Sequence, residues 1–228
     1  MEADQQATRV LAIRHGETDW NVGTRIQGQL DLPLNDTGRR QVARLGPAVA
    51  GEDIAAVYAS DLSRAFETAQ AVARGCGRQI VTDIGLRERG FGRFEGLTYA
   101  EINATWPVEA ERWRRRDPAF GAPGGETLSD FYARSIATAT RLCARHPDET
   151  IALVSHGGVM DCLYRAATRV ALDAPRSWQV GNAAINRLLY TPQGFTLIGW
   201  SDTQHLDAIA LDELAEGGAP AHPAKAAA

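Results

Sequence analysis

Nine residues, Val10-Leu11-Ala12-Ile13-Arg14-His15-Gly16-Glu17-Thr18, constrain this chain more than any other stretch. Four consecutive apolar residues suit a strand buried on both faces, as in a parallel sheet covered by helices. The run breaks off at a cation, an imidazole and a glycine. It therefore sets polar chemistry at a strand's carboxyl end, where open α/β sheets bind their ligands. Gly16 gives the backbone freedom for the turn out of the sheet. A second run, Ile151-Ala152-Leu153-Val154, ends in the same manner at Ser155-His156-Gly157-Gly158. One strand-end histidine is commonly structural. Two, each followed by glycine, point to a shared site.

A chain of 228 residues with 44% hydrophobic residues can bury the core of one α/β domain. Met1 to Val10 is polar and partly acidic, without the basic start and apolar run of a secretory signal. The apolar runs are too short to span a bilayer. Cys76, Cys143 and Cys162 are odd in number and lack paired spacing, which suits reduced thiols in a cytoplasmic protein. A net charge of -4 argues against nucleic acid as a partner. The single lysine, Lys225, stands against a wealth of arginine. Guanidinium suits phosphate, but base composition of the gene explains the bias as well, so only arginines at special positions carry weight.

Along the chain, Asn35-Asp36-Thr37 offers caps for a helix running to about Ala50, and Ile54 to Ala59 reads as a strand. Ser60 or Asp61 caps the next helix, whose apolar face is Leu62, Ala65, Phe66, Ala69, Val72 and Ala73. Arg64 falls in its first turn, where the helix dipole disfavours a cation. It either serves an anion bound there or lies solvated on the surface. After a short strand, Gln79 to Thr82, the segment Leu86 to Glu126 departs from the sheet. With helices near Tyr99–Thr105 and Val108–Arg116, it reads as a cap inserted over the site. Thr127 caps a long helix closed by His146-Pro147, and Val159 to Val170 forms another. Ile185–Tyr190 and Phe195–Trp200 flank Thr191-Pro192-Gln193-Gly194 as a hairpin. The expected fold is a three-layer α/β sandwich. Its mainly parallel sheet has one antiparallel edge strand, helices on both faces and the inserted cap. One domain, 9–214, is expected between disordered termini, 1–8 and 215–228.

Six blocks in order, Arg14-His15-Gly16-Glu17-Thr18, Trp20-Asn21, Ser60-Asp61-Leu62-Ser63-Arg64-Ala65, Leu86-Arg87-Glu88, Pro123-Gly124-Gly125-Glu126 and Ser155-His156-Gly157-Gly158, resemble the histidine phosphatase superfamily, phosphoglycerate-mutase-like branch. The resemblance implies that His15 is the nucleophile that takes a phosphoryl group. Arg14, Arg64 and His156 match the cluster that grips its oxygens, and Glu88 matches the acid that protonates the leaving oxygen. Asn21 and Gln27 match positions around the phosphate and cap, and Thr18 and Gly157 are substrate contacts within the same motifs.

The chemistry fits those residue types. A phosphate monoester is dianionic, so fixed cations must screen it from the nucleophile. His15 must be neutral to attack, whereas His156 is expected to be protonated, its pKa raised by the phosphate. Glu88 must carry a proton when substrate binds; its alternative is a salt bridge with Arg87 or Arg89. No acidic cluster exists to hold magnesium, and two histidines alone make a poor zinc site, so no metal or cofactor is expected. The implied activity is metal-independent hydrolysis of a small phosphorylated metabolite, with no membrane partner and with a homodimer left open. A phosphoglycerate mutase is the rival, and an inactive binding relative a more distant one. Mutases have tyrosine and lysine where this chain has Phe91 and Tyr99, and Gly-Asn after the second histidine. Trp113-Arg114-Arg115 resembles a mutase substrate segment, so Arg115 either holds a second acidic group or lies on a solvated helix face.

Overall fold

A computed structural model of the chain describes residues 6–207. Six strands, β1 (Thr8–Arg14), β2 (Ile54–Ala59), β3 (Ile80–Thr82), β4 (Thr150–Ser155), β5 (Ile185–Thr191) and β6 (Gly194–Asp202), form one sheet in the order β3-β2-β4-β1-β5-β6. The first four run parallel; β5 runs against β1, and β6 against β5. The predicted hairpin thus supplies the antiparallel edge, with β5 the reversed strand and β6 lying outside it.

Side chains alternate across a strand, and both faces of the central strands are covered. Val10, Ala12, Ile151 and Leu153 face one apolar cluster, built with α7 (Leu128–Cys143) and α8 (Gly157–Thr168). Leu11, Ile13, Ala152 and Val154 face another, built with α2 (Asp36–Ala43), α3 (Leu45–Val49) and α4 (Ser63–Cys76). This is why β1 and β4 read as unbroken apolar runs. The single helix expected from Asn35 to Ala50 is instead two. Pro47 has no N–H to give the carbonyl of Ala43, four residues back, so α2 stops there. Asn35 caps α2 as expected, its side chain accepting from Gly38 N.

Residue 8, assigned above to a disordered terminus, is a buried strand residue. Its hydroxyl bonds to the carbonyls of Cys143 and His146, each at 2.9 Å. Residues 1–5 and the tail from Ala215 lie outside the described residues.

The segment 86–126 holds α5 (Tyr99–Thr105) and α6 (Pro107–Arg114) around an apolar cluster of its own. Phe94, Ile102, Ala110, Phe120 and Ala122 are buried there, with Trp106 and Trp113 packed against them. A bridge between Arg25 and Thr98 ties this segment to the loop that follows β1. Gly92, at φ +52°, closes it: a Cβ there would stand 2.2 Å from the Pro123 carbonyl oxygen.

Candidate active site

The parallel pairing of β1 with β4 sets Arg14 opposite Ser155, so residues 15 and 156 leave adjacent strands at one level. The His15 N–H bonds to the Ser155 carbonyl at 2.9 Å, and the two imidazole centroids lie 5.2 Å apart. His15 Nδ1 is 2.7 Å from the Gly16 carbonyl oxygen. A carbonyl can only accept, so Nδ1 carries the proton of the neutral ring and Nε2 carries the lone pair.

Two arginines flank the imidazoles, Arg14 partly buried and Arg64 wholly so. Arg14 donates through one terminal nitrogen to the Val180 carbonyl at 2.5 Å. Arg64 is fully buried, which excludes the solvated surface position. It donates to the Leu30 carbonyl at 2.9 Å and the Gly28 carbonyl at 2.8 Å. Carbonyls orient these guanidinium groups without neutralising them. Arg14 Nε, Arg64 Nε and His156 Nδ1 are, among the described residues, buried polar atoms without a hydrogen-bond partner. Each such group costs about 1–3 kcal/mol. Donors left unsatisfied beside two cations suit a ligand with several anionic oxygens.

Burial, with the charges of Arg14 and Arg64, holds His15 well below the ordinary imidazole pKa. His156 is also held well below it, first by burial and then by Arg64, His15, Arg14 and Arg134. Before an anion binds, both rings are thus held toward the neutral form; the expected protonation of His156 belongs to the phosphate-bound state. Burial brings Arg14 down to about 10, so it stays charged at neutral pH.

Glu88 follows a short helical turn, Ile84–Leu86. Its carboxylate accepts the N–H of Arg89 at 2.7 Å and that of Gly158, at the start of α8, at 2.9 Å. A Cβ on residue 158 would lie 2.2 Å from Glu88 Oε1, so glycine makes this contact possible. The Glu88 carbonyl is held by Gln29 Nε2 at 3.1 Å and Arg134 at 3.2 Å. Neither alternative ion pair forms. Arg87 pairs with Asp61, and the Arg89 guanidinium bonds to the carbonyls of Phe120 and Glu126. The Glu88 charge instead acts on both Arg14 and Arg64.

The remaining expected residues divide. Thr18 and Asn21 form the capping box of α1 (Asp19–Val22). Asn182 Nδ2 links that turn to the site, donating to the carbonyls of His15 and Gly16 and to Asn21 Oδ1 at 3.0–3.2 Å. Gln27 is buried with Oε1 unpartnered, next to the Gly28 carbonyl that holds Arg64. Gly157 lets Arg14 pass close, since a Cβ there would be 3.3 Å from Nε. Arg115 is not brought to the cluster. Its side chain is 74% exposed on the last turn of α6 and pairs with Glu111, which Arg114 shares, so the solvated helix face is what the structure contains.

Ser60 and Asp61 do not cap α4. Leu62 occupies the N-cap position, and Asp31 accepts from Ser63 N at 2.7 Å. Asp61 is drawn to Arg87, and Ser60 lies 2.9 Å from His156 Nε2. Ser60 and Asn182 are thus parts of the cluster that sequence reasoning missed. Ser60 stood inside a quoted motif but had the more familiar capping role; Asn182 lies in no quoted motif.

The family model of the histidine phosphatase superfamily (branch 1) matches residues 10–203. The chain is 36% identical to phosphoglycerate mutase-like protein 4 of Arabidopsis thaliana, over 94% of each chain. Among solved structures it resembles a mycobacterial glucosyl-3-phosphoglycerate phosphatase complexed with VO3, with 34% identity and TM-score 0.71 over 79% of this chain and 90% of that one. It also resembles a mutant phosphoserine phosphatase from Entamoeba histolytica in complex with phosphoserine, with 26% identity and TM-score 0.78 over 87% and 99%. From its two strand-end histidines, its arginine pair and these matches, the chain belongs to the histidine phosphatase superfamily, branch 1.

Proposed function

We propose that this chain is a metal-independent phosphomonoesterase that works through a phosphohistidine on His15 and acts on a small phosphorylated metabolite. One observation carries the reading: the free Nε2 of His15 belongs to the cluster in which Arg14 Nε, Arg64 Nε and His156 Nδ1 are buried without partners. In the first step the Nε2 lone pair forms a bond to phosphorus as the bond to the ester oxygen breaks. That oxygen takes a proton from Glu88. In the second step water attacks phosphorus, gives its proton to Glu88 and displaces His15. Arginine charge and donated hydrogen bonds stabilise the equatorial oxygens throughout, so no step calls for a metal.

Hydrolysis is favoured over isomerisation by the surroundings of Phe91 and Tyr99. Their rings lie 5.8 Å and 5.7 Å from that of Trp113, so these positions build an aromatic cluster. Polar contacts to a phosphoglycerate are what a mutase needs there. The mutase name of the Arabidopsis relative keeps isomerisation as the second reading. A panel of phosphorylated metabolites, assayed with and without a chelator for inorganic phosphate and for isomerised product, separates the two. Isomer without phosphate release sinks the hydrolase reading, and loss of activity on chelation sinks its metal independence.

A cytoplasmic setting is proposed on the three free cysteines, of which Cys143 and Cys162 are buried. No helix among the described residues is long and apolar enough to cross a membrane.

Arg64→Lys is expected to lower kcat/KM by about 10²-fold, because the single nitrogen of an ammonium cannot span two carbonyls and the phosphate as the three nitrogens of the planar guanidinium do. Near-native kinetics would remove Arg64 from the clamp. The acid limb of the kcat/KM profile should fall below the ordinary histidine value of 6.5, since the protonated His15 is inactive and its pKa is lowered. Arg64→Ala removes one of the lowering charges and should move that limb upward. The substrate's own ionisation is common to both enzymes, so a limb that does not move counts against His15 as the titrating group.

A further inference from the structure

Ser60 is fully buried just beyond β2, with its hydroxyl oxygen 2.9 Å from His156 Nε2. The same oxygen accepts the Leu62 N–H at 3.3 Å. A buried hydroxyl proton needs an acceptor of its own, and the acceptor within reach is Nε2. A ring nitrogen that accepts carries no proton, so the neutral ring holds its proton on Nδ1. Nδ1 is the very atom left buried and unpartnered in the cluster.

We propose that Ser60 is a positioning residue that fixes His156 as its Nδ1–H tautomer, so that an uncharged ring donates to the phosphate. The catalytic half of this rests on the phosphatase reading; the tautomer follows from hydrogen bonding alone. An imidazolium would set an N–H against the Ser60 hydroxyl and strand one proton. The groups bearing on the ring give it no help. They are Arg14 and His15 at the end of β1, Arg64 on α4 and Arg134 on α7. Glu88, the carboxylate of the cluster, is tied to the N–H groups of Arg89 and Gly158. A neutral donor keeps its hydrogen bond across neutral pH, where an imidazolium would titrate.

Nitrogen NMR of the full chain carrying ¹⁵N-histidine tests this between pH 6 and 8, with the His156 signals assigned by their loss in His156→Asn. The expected pattern is a protonated Nδ1 and an unprotonated Nε2, unchanged over that range. A protonated Nε2, in either the neutral or the charged ring, overturns the proposal without any variant being made. In Ser60→Ala the Nδ1–H pattern should be lost. kcat/KM for para-nitrophenyl phosphate should fall about tenfold, because the ring is then free to carry its proton on Nε2 and turn a bare Nδ1 to the phosphate. Ser60→Thr, which keeps the hydroxyl, should restore both. An unchanged pattern in Ser60→Ala beside the same loss in kcat/KM is what a merely structural role produces and also overturns the proposal. If no phosphate ester is hydrolysed while the wild-type pattern holds, the phosphatase reading fails and the tautomer stands.

Discussion

His15→Ala is expected to abolish phosphate release from every monoester tested, a loss of about 10⁴–10⁶-fold in kcat. The magnitude follows from the proposed chemistry, because no other side chain of the cluster has a free lone pair placed to form the covalent intermediate. The fold should survive. The His15 side chain makes one hydrogen bond, to the carbonyl of the next residue, while β1 is held by its pairing with β4 and β5. Thermal unfolding followed by circular dichroism checks that point. Inorganic phosphate should still bind to the variant, since Arg14, Arg64 and His156 remain. The wild type, quenched during turnover, should carry an acid-labile, alkali-stable phosphoryl group that the variant lacks. Turnover in the folded variant within tenfold of wild type would refute the nucleophile assignment.

Glu88→Gln carries the second large effect, and its size depends on the leaving group. Alkyl phosphates should lose about 10²–10⁴-fold, the worth of a positioned general acid, and aryl phosphates about tenfold or less. A glutamine also damages the local geometry. Both oxygens of Glu88 accept backbone N–H groups, and an amide must turn its NH₂ toward either Arg89 or Gly158. Misplacement of that kind slows all substrates alike, whereas a missing proton penalises the poor leaving group. The ratio of the two losses is therefore the informative quantity, and equal losses would count against Glu88 as the acid.

Much of the fold was legible because hydrophobic pattern encodes which faces are covered. Val10–Ile13 and Ile151–Val154 had to lie inside a sheet clothed on both sides, and helical spacing after Leu62 and after Thr127 specified core-facing helices. The site was legible to the extent that chemistry-bearing residues stand directly at the ends of those strands, as His15 and His156 do. Arg64 was undecided between anion binding and the surface, since its first-turn position says nothing about burial. Arg115 was undecided between a substrate contact and a solvated face, because helix pattern cannot tell which neighbour a long side chain will choose; the nearby Glu111 took it.

What the sequence determined by itself was the parallel sheet, the two strand exits and the one cation, Arg14, that adjoins His15, since all of these follow from local period and adjacency. The groups that hydrogen-bond to each imidazole, and the hold on each guanidinium, came only with the tertiary structure. Ser60 reaches His156 across 96 positions, Val180 reaches Arg14 across 166, and Asn182 reaches His15 across 167. Those partners meet because β2, β4, β1 and β5 lie side by side in the sheet. A hydrogen bond is directional and short, so its partner is chosen by strand order and register, and no period within one segment records that choice.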